Sequence, residues 1–204
     1  MESFFNGVQS AFSALSYWEL SAVILALLYL LLAMKENIWC WLAGFSSTLI
    51  YLFLFYQHQL FSETFLQIFY LAISIYGWLQ WKKMDSEKGD KNVTTYSLKT
   101  HIYILGGGTF CTYLLGSFTR HYLNASLPFV DATTTVFAVI TTYLVTQKKL
   151  ENWLYWIVID SISIYMYWYK GLYLTVLLFM IYVMLSFSGY FSWKKHVIYR
   201  TESI

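Results

Sequence analysis

Asp160 lies in the middle of an apolar and aromatic run, residues 151–170, where an acidic side chain requires an explanation. On an α-helix, Trp153, Trp156 and Asp160 are spaced three and four residues apart and therefore share one face. Asp160 would lie about 12 Å from the start of that helix, deep in an apolar layer. A carboxylate at this depth is costly unless it faces a polar cavity or a partner. Ligand binding is one explanation, and protonation or hydrogen bonding to Ser or Tyr hydroxyls is the structural alternative.

Five further side chains are candidates for the same site: Gln67, Tyr70, Tyr182, Asn152 and Asp131. An amide such as Gln67 needs partners at depth and could bind the hydrogen-bonding edge of a ligand. The alternatives are an N-cap for Asn152 and a helix-dipole contact for Asp131. Aromatic faces attract cations, and a lone acid balances positive charge. The set therefore favours a flat, cationic, partly polar small molecule as the ligand.

Long apolar stretches separated by short polar ones position these residues. The 204-residue chain is 58% hydrophobic and only 12% charged, too few charges for a soluble domain of this size. A membrane-spanning helix needs about 20 apolar residues. We therefore predict an all-α integral membrane protein with seven transmembrane helices, near 18–34, 38–56, 61–81, 101–119, 128–147, 152–169 and 172–193.

The distribution of basic residues predicts the orientation of these helices. One side of the predicted membrane carries only Arg120 and Lys170, and the other carries the remaining eleven of the thirteen Lys and Arg residues. Because cytoplasmic loops are enriched in Lys and Arg, the N-terminus is expected outside and the C-terminus in the cytoplasm. The polar connection 82–99 is expected to be mobile.

An internal repeat divides the chain into two similar units. FYLAISIYGWLQWKK (69–83) aligns with IYVMLSFSGYFSWKK (181–195) at an offset of 112 residues, and 33–47 aligns with 148–162 at an offset of 115. The second alignment places Phe45 opposite Asp160, so the units differ at the candidate site. We predict parallel repeats in a 3+1+3 arrangement with a site between them near the midplane.

This arrangement divides the whole chain into predicted segments. They are an extracytoplasmic segment 1–17, a first three-helix repeat 18–83, a cytoplasmic loop 84–100, a linker helix 101–122, a second three-helix repeat 127–193 and a cytoplasmic tail 194–204.

Other site chemistries lack support in the sequence. Cys40 and Cys111 read as packing residues, and the four histidines are too scattered for a metal site. The run LGGGTFCTYLLG (105–116) is not a phosphate loop; its small-residue stripe predicts helix packing or a subunit contact. We therefore predict no catalytic residues, no metal, no cofactor and no nucleic-acid partner.

The 3+1+3 pattern, the YGWLQWKK ending of the third span and ENWLYWIVIDSISIYMYWYKGLYLTVLLF around the sixth resemble the PnuC family of bacterial vitamin transporters. The resemblance extends from about Trp18 to Lys195. It implies a SWEET-like fold, a homotrimer in the inner membrane, and facilitated diffusion of an unphosphorylated vitamin that a separate cytoplasmic kinase then traps. The short form of the chain looks more like the thiamine branch, PnuT, so thiamine is the expected substrate. Nicotinamide riboside is the alternative, because both vitamins are flat, heteroaromatic and cationic.

Two other functions remain as alternatives. A membrane enzyme would need a catalytic set within the spans, and none is visible. A non-transporting receptor would not need duplicated spans with asymmetric buried polar residues. The sequence therefore favours a transporter.

Overall fold

The chain folds into helices wherever the sequence predicts a span. The computed structural model describes residues 2–58, 61–88, 93–122 and 127–197. These residues form eight helices: α1 (Glu2–Ala14), α2 (Tyr17–Met34), α3 (Cys40–Gln57), α4 (Phe61–Lys88), α5 (Leu98–Tyr122), α6 (Pro128–Thr146), α7 (Asn152–Tyr169) and α8 (Tyr173–Lys194). Within the described ranges, β structure is limited to two isolated bridges. The all-helical prediction is confirmed, and α1 is a helix that the sequence analysis did not predict.

Four of the described helices, α2, α3, α6 and α8, are long and apolar enough to cross a membrane.

Local sequence signals determine where several helices begin and where the chain turns between them. Ser16 and Glu19 form a capping box at the start of α2, each side chain accepting the other's backbone N–H. Pro128 opens α6 at a position where its missing N–H costs nothing. Gly171 has φ +72° in the turn between α7 and α8, a conformation that favours glycine.

The helices pack as two sets of three consecutive helices with α5 beside one of them. In the first set α2 packs on α3 and α3 on α4; in the second, α6 packs on α7 and α7 on α8. The sets meet through α2 against α8 and α4 against α6, while α1 lies against α8. The small-residue stripe of α5 faces α6, because a Cβ at Gly108 or Gly116 would lie 2.7 or 2.5 Å from the rings of Phe137 and Phe129. The stripe therefore serves helix packing within the chain.

Four buried tryptophans close one end of the helix bundle. This tryptophan cluster comprises Trp41, Trp81, Trp153 and Trp193, whose neighbouring ring centroids lie 5.4–6.1 Å apart. Two of its members make the same hydrogen bond across the boundary between the two sets. Trp81 Nε1 donates to the Val145 carbonyl at 3.1 Å, and Trp193 Nε1 donates to the Ala33 carbonyl at 2.9 Å.

These paired contacts correct the offset of the internal repeat. Both donors and both acceptors are separated by 112 residues. The same offset relates Trp41, which packs on Gly77, to Trp153, which packs on Gly189. It also relates the starts of α3 and α7. The predicted offset of 115 for the first motif is therefore wrong.

The corrected offset changes which residue stands opposite Asp160. At 112 residues its counterpart is Thr48, not Phe45, and the counterpart of Trp41 is Trp153, not Trp156. The two units still differ at this position, with a hydroxyl in one and a carboxylate in the other. The asymmetry on which the site prediction rested thus survives with a different partner.

The described part of the polar connection is docked, not mobile as predicted. Val93 is completely buried and forms an isolated bridge with Val197, while Thr94 forms one with Lys149. Backbone hydrogen bonds run from Thr94 N–H to the Lys148 carbonyl and from Leu150 N–H to the Thr94 carbonyl. Main-chain bonding therefore holds a segment whose polar composition predicts no fixed structure.

Candidate functional site

A cavity of about 960 Å³ opens at the end of the bundle opposite the tryptophan cluster. It is bounded by the first halves of α4 and α6, by the later parts of α2 and α5, by most of α7 from Trp156 onward, and by the middle of α8, so both sets of helices contribute. Its volume suits a small organic ligand. Its polar and charged lining residues are Thr119, Asp131, Thr134, Thr135, Asp160, Ser163, Lys170 and Ser186, and its aromatic ones are Tyr29, Phe65, Phe69, Tyr70, Phe118, Trp156, Tyr167, Phe179 and Tyr182.

Asp160 is the buried acid of this cavity. It is only 3% exposed and lines the cavity wall. The hydrogen bonds and ion pairs of the described residues include none to its carboxylate. A buried carboxylate without a protein partner must be satisfied by something that enters the cavity or by a proton. Asp160 is therefore positioned to receive a ligand group.

Helical spacing places further groups beside this acid. Trp156 lies one turn before Asp160 and Ser163 one turn after it on α7, and all three line the cavity. Tyr70 reaches the cavity from α4 and Tyr182 from α8. A ligand between them would meet aromatic faces from both sets of helices and a carboxylate from only one.

An ion pair stands at the mouth of the cavity. Lys170 Nζ lies 3.7 Å from Asp131 Oδ1, and the two side chains are 32% and 48% exposed. Asp131 lies in the first turn of α6, where the helix dipole favours a carboxylate. Lys170 follows the last residue of α7, where the dipole favours a cation. At this exposure the pair contributes little stability. It leaves Asp160 as the unpaired acidic group among the described lining residues.

Three predicted site residues do not line the cavity. Trp153 belongs to the tryptophan cluster, where a Cβ at Gly189 would lie 2.7 Å from its ring. Asn152 is fully buried near the same end, and its amide donates to the Lys149 carbonyl at 2.6 Å. Gln67 lies on α4 outside the lining, which that helix supplies through Phe65, Leu66, Phe69 and Tyr70. Of the two tryptophans predicted to share a helix face with Asp160, Trp156 therefore lines the cavity, whereas Trp153 is packed in the tryptophan cluster.

Sequence reasoning missed Ser163, Ser186, Thr134 and Lys170. Ser163 and Ser186 are almost completely buried and line the cavity. A signal for both was present, because Ser163 follows Asp160 by three residues and Ser186 follows Tyr182 by four, so each shares a helix face with a predicted residue.

Residues 16–195, most of the chain, match the family model described as nicotinamide mononucleotide transporter. The chain belongs to this family of membrane transporters. Among curated proteins it is similar to the nicotinamide riboside transporter PnuC of Escherichia coli, with 25% identity over 88% of this chain and 85% of the relative. It is also similar to the nicotinamide riboside transporter PnuC of Neisseria mucosa, with 24% identity over 95% of this chain and 79% of the relative. The PnuC resemblance is thus confirmed.

This PnuC-family member is also similar to a riboflavin transporter in sequence and to a solved transporter structure in fold. It is 24% identical to the riboflavin/roseoflavin transporter RibM of Streptomyces davaonensis, over 83% of this chain and 81% of the relative. The crystal structure of the vitamin B3 transporter PnuC has the same fold, with a TM-score of 0.71 and 22% identity over 95% of this chain and 88% of that one. The chain is therefore a membrane transporter of a vitamin-transporting family and not an enzyme. The relatives named here carry nicotinamide riboside or riboflavin in their names, so the comparisons favour the nicotinamide riboside alternative over thiamine.

Proposed function

We propose that this protein carries nicotinamide riboside across a bacterial inner membrane through the cavity around Asp160. The observation that carries this proposal is a 3% exposed carboxylate, without a partner among the described residues, in a cavity rich in aromatic rings. Nicotinamide riboside joins a flat, positively charged pyridinium ring to a polar ribose. Its two parts match the two kinds of group that line the cavity.

Each lining group has a role in this proposal. Asp160 balances the pyridinium charge, and Trp156, Tyr70 and Tyr182 offer ring faces to it. Ser163 and Ser186 provide hydroxyls for the ribose or the carboxamide. Asn152 and Trp153 act at a distance by fixing the start of α7.

The remaining architecture is part of the same proposal. Helices α2–α8 are seven membrane-spanning helices in a SWEET-like 3+1+3 arrangement, with α5 as the linker between units 18–83 and 127–193. The reciprocal bonds of Trp81 and Trp193 support this symmetry. The excess of basic residues supports a cytoplasmic location for the tryptophan end and the C-terminus, with the cavity open to the outside. The family resemblance supports a homotrimer, facilitated diffusion, and trapping of the vitamin by a cytoplasmic kinase.

Thiamine is the second candidate, and the unpaired Asp160 is the observation that favours it over an uncharged vitamin. Thiamine also carries a permanent positive charge on a flat heteroaromatic ring, whereas riboflavin is neutral. The relatives named as nicotinamide riboside transporters support that vitamin over thiamine.

Side-by-side binding and uptake measurements test the proposal. Purified protein is titrated with nicotinamide riboside, thiamine and riboflavin, and proteoliposomes containing this protein alone are assayed for uptake of each labelled vitamin. We expect nicotinamide riboside to bind most tightly and to equilibrate across the membrane without an ion gradient. If thiamine binds most tightly, thiamine and not nicotinamide riboside is the substrate. If none of the three vitamins binds or enters the proteoliposomes, the assignment as a vitamin transporter is overturned.

A further inference from the structure

Residues 93–97, which we name the strap, lie across the closed end of the bundle. Thr94 exchanges backbone hydrogen bonds with Lys148 and Leu150, and Lys149 Nζ donates to Thr94 Oγ1 at 2.8 Å. The backbone N–H of Tyr96 donates to Glu151 Oε1 at 2.9 Å. The strap therefore binds the turn between α6 and α7 through both main-chain and side-chain hydrogen bonds.

The strap also contributes a side chain to the buried core that contains the tryptophan cluster. Val93 is 0% exposed and belongs to the same buried core as Trp81, Trp153 and Trp193. Trp81 comes from the first set of helices and the other two tryptophans from the second. Only residues 89–92 separate the strap from the end of α4. The strap thus starts from one set and docks on the other at the point where the two sets join.

Transport through this cavity requires the closed end to open. At that end the two sets are joined by the Trp81–Val145 and Trp193–Ala33 hydrogen bonds. When the sets separate there, the core around Val93 opens as well, and a docked strap would resist that movement. We propose that the strap is a releasable lock, docked while the cavity faces outward and undocked when it opens to the cytoplasm. This inference rests on the proposed transport function.

The composition of the strap suits reversible docking. Val93 is its one fully buried side chain, whereas Thr95 and Ser97 are exposed. Its other contacts are hydrogen bonds and ring contacts of Tyr96, with Lys149 Nζ 4.1 Å from the ring centroid and the His101 ring at 6.3 Å. Each such contact contributes only modestly to stability, because water replaces the lost partner on release. A segment held in this way can leave its site without unfolding a helix.

A reversible disulfide tests whether the strap must move. Thr94→Cys and Lys149→Cys are combined in a Cys111→Ser background, since neighbouring strands approach to about 4.8 Å, within the range a disulfide spans. We expect oxidation to reduce uptake of nicotinamide riboside into proteoliposomes by about tenfold or more, and reductant to restore it. Each single-cysteine variant, given the same oxidant, is the control. Full uptake with the cross-link formed would overturn the proposal.

A second measurement does not depend on the identity of the substrate. Ala138→Cys, in the Cys111→Ser background, places a thiol in the cavity wall. A membrane-impermeant maleimide is then added from the cytoplasmic side of oriented vesicles. Val93→Asp should raise the labelling rate about tenfold by undocking the strap, whereas Thr95→Asp adds the same charge at an exposed position and should leave it unchanged. Equal rates for the two variants would overturn the strap proposal. Loss of all vitamin binding with this labelling difference intact would instead overturn only the proposed substrate.

Discussion

Lys148 and Glu36 occupy equivalent left-handed turns 112 residues apart, with φ of 46° and 54°, and their opposite charges lie 4.0 Å from each other. The turns follow α6 and α2 at the closed end. Lys148 is 0% exposed and also contacts Asp85 Oδ1 at 3.0 Å, while His196 Nδ1 lies 2.7 Å from Glu36 Oε1. Two like charges would repel at this point, so the opposite charges of Lys148 and Glu36 favour the contact between the two sets of helices.

Lys148→Met should therefore destabilise the protein strongly. It removes the buried cation that Glu36 and Asp85 share, and breaking a buried pair on one side costs about 3–5 kcal/mol. We expect a lower unfolding temperature in detergent, measured by tryptophan fluorescence, and partial recovery when Glu36→Gln is added. Lys82→Met removes an exposed lysine of α4 and is the matched control. Equal melting temperatures for the two lysine variants would show that the buried pair is dispensable.

Asp160→Asn should weaken the binding of a cationic vitamin while the fold is retained. The substitution keeps the shape and removes the charge, so nicotinamide riboside should lose about tenfold or more in affinity. Its uncharged dihydro form should lose much less. Titration calorimetry with both ligands provides the measurement, and Ser161→Ala on the exposed side of α7 is the control. If both ligands lose the same affinity, Asp160 contributes to binding through its shape and not through its charge.

Trp156→Ala and Trp153→Ala should have opposite consequences although the residues are one turn apart. Trp156 lines the cavity, so its loss should weaken vitamin binding with little change in melting temperature. Trp153 is packed in the closed end, so its loss should cost about 3–5 kcal/mol of stability. Binding and thermal unfolding are measured on both variants. The assignment fails when Trp156→Ala unfolds the protein and Trp153→Ala does not.

Gly189→Ala should destabilise the closed end. The added Cβ would lie 2.7 Å from the Trp153 ring, and overpacking of this kind costs about 1–3 kcal/mol. Gly107→Ala, on α5, has nothing within 4 Å of the added Cβ and should be neutral or slightly stabilising. The comparison is made by thermal unfolding in one detergent. A melting temperature that falls equally in both would point to backbone effects and not to ring packing.

Apolar runs were sufficient to predict seven of the eight helices in the part of the chain that the structure describes, because burial in an apolar layer dominates their formation. The offset failed for a specific reason: Trp153 and Trp156 lie one helical turn apart, so either can be aligned with Trp41 by residue type. The contact with a glycine decides between them, and it is made only when the helices pack. The docking of the strap was not predicted, because backbone hydrogen bonds can form whatever the polarity of the side chains. Ser163 was not predicted because a serine in an apolar helix usually bonds its own backbone. Its spacing of three residues from Asp160 was the available signal, and the cavity shows that this spacing matters.

The reciprocal bonds of Trp81 and Trp193 have a consequence for how such a chain could arise. In the proposed architecture, each unit presents one indole donor and one carbonyl acceptor to the other. Two identical copies of a single three-helix unit would already satisfy both bonds as a two-fold symmetric dimer. Joining the copies through α5 would free each to differ from the other away from the shared contact, and Asp160 aligned with Thr48 is a difference of this kind.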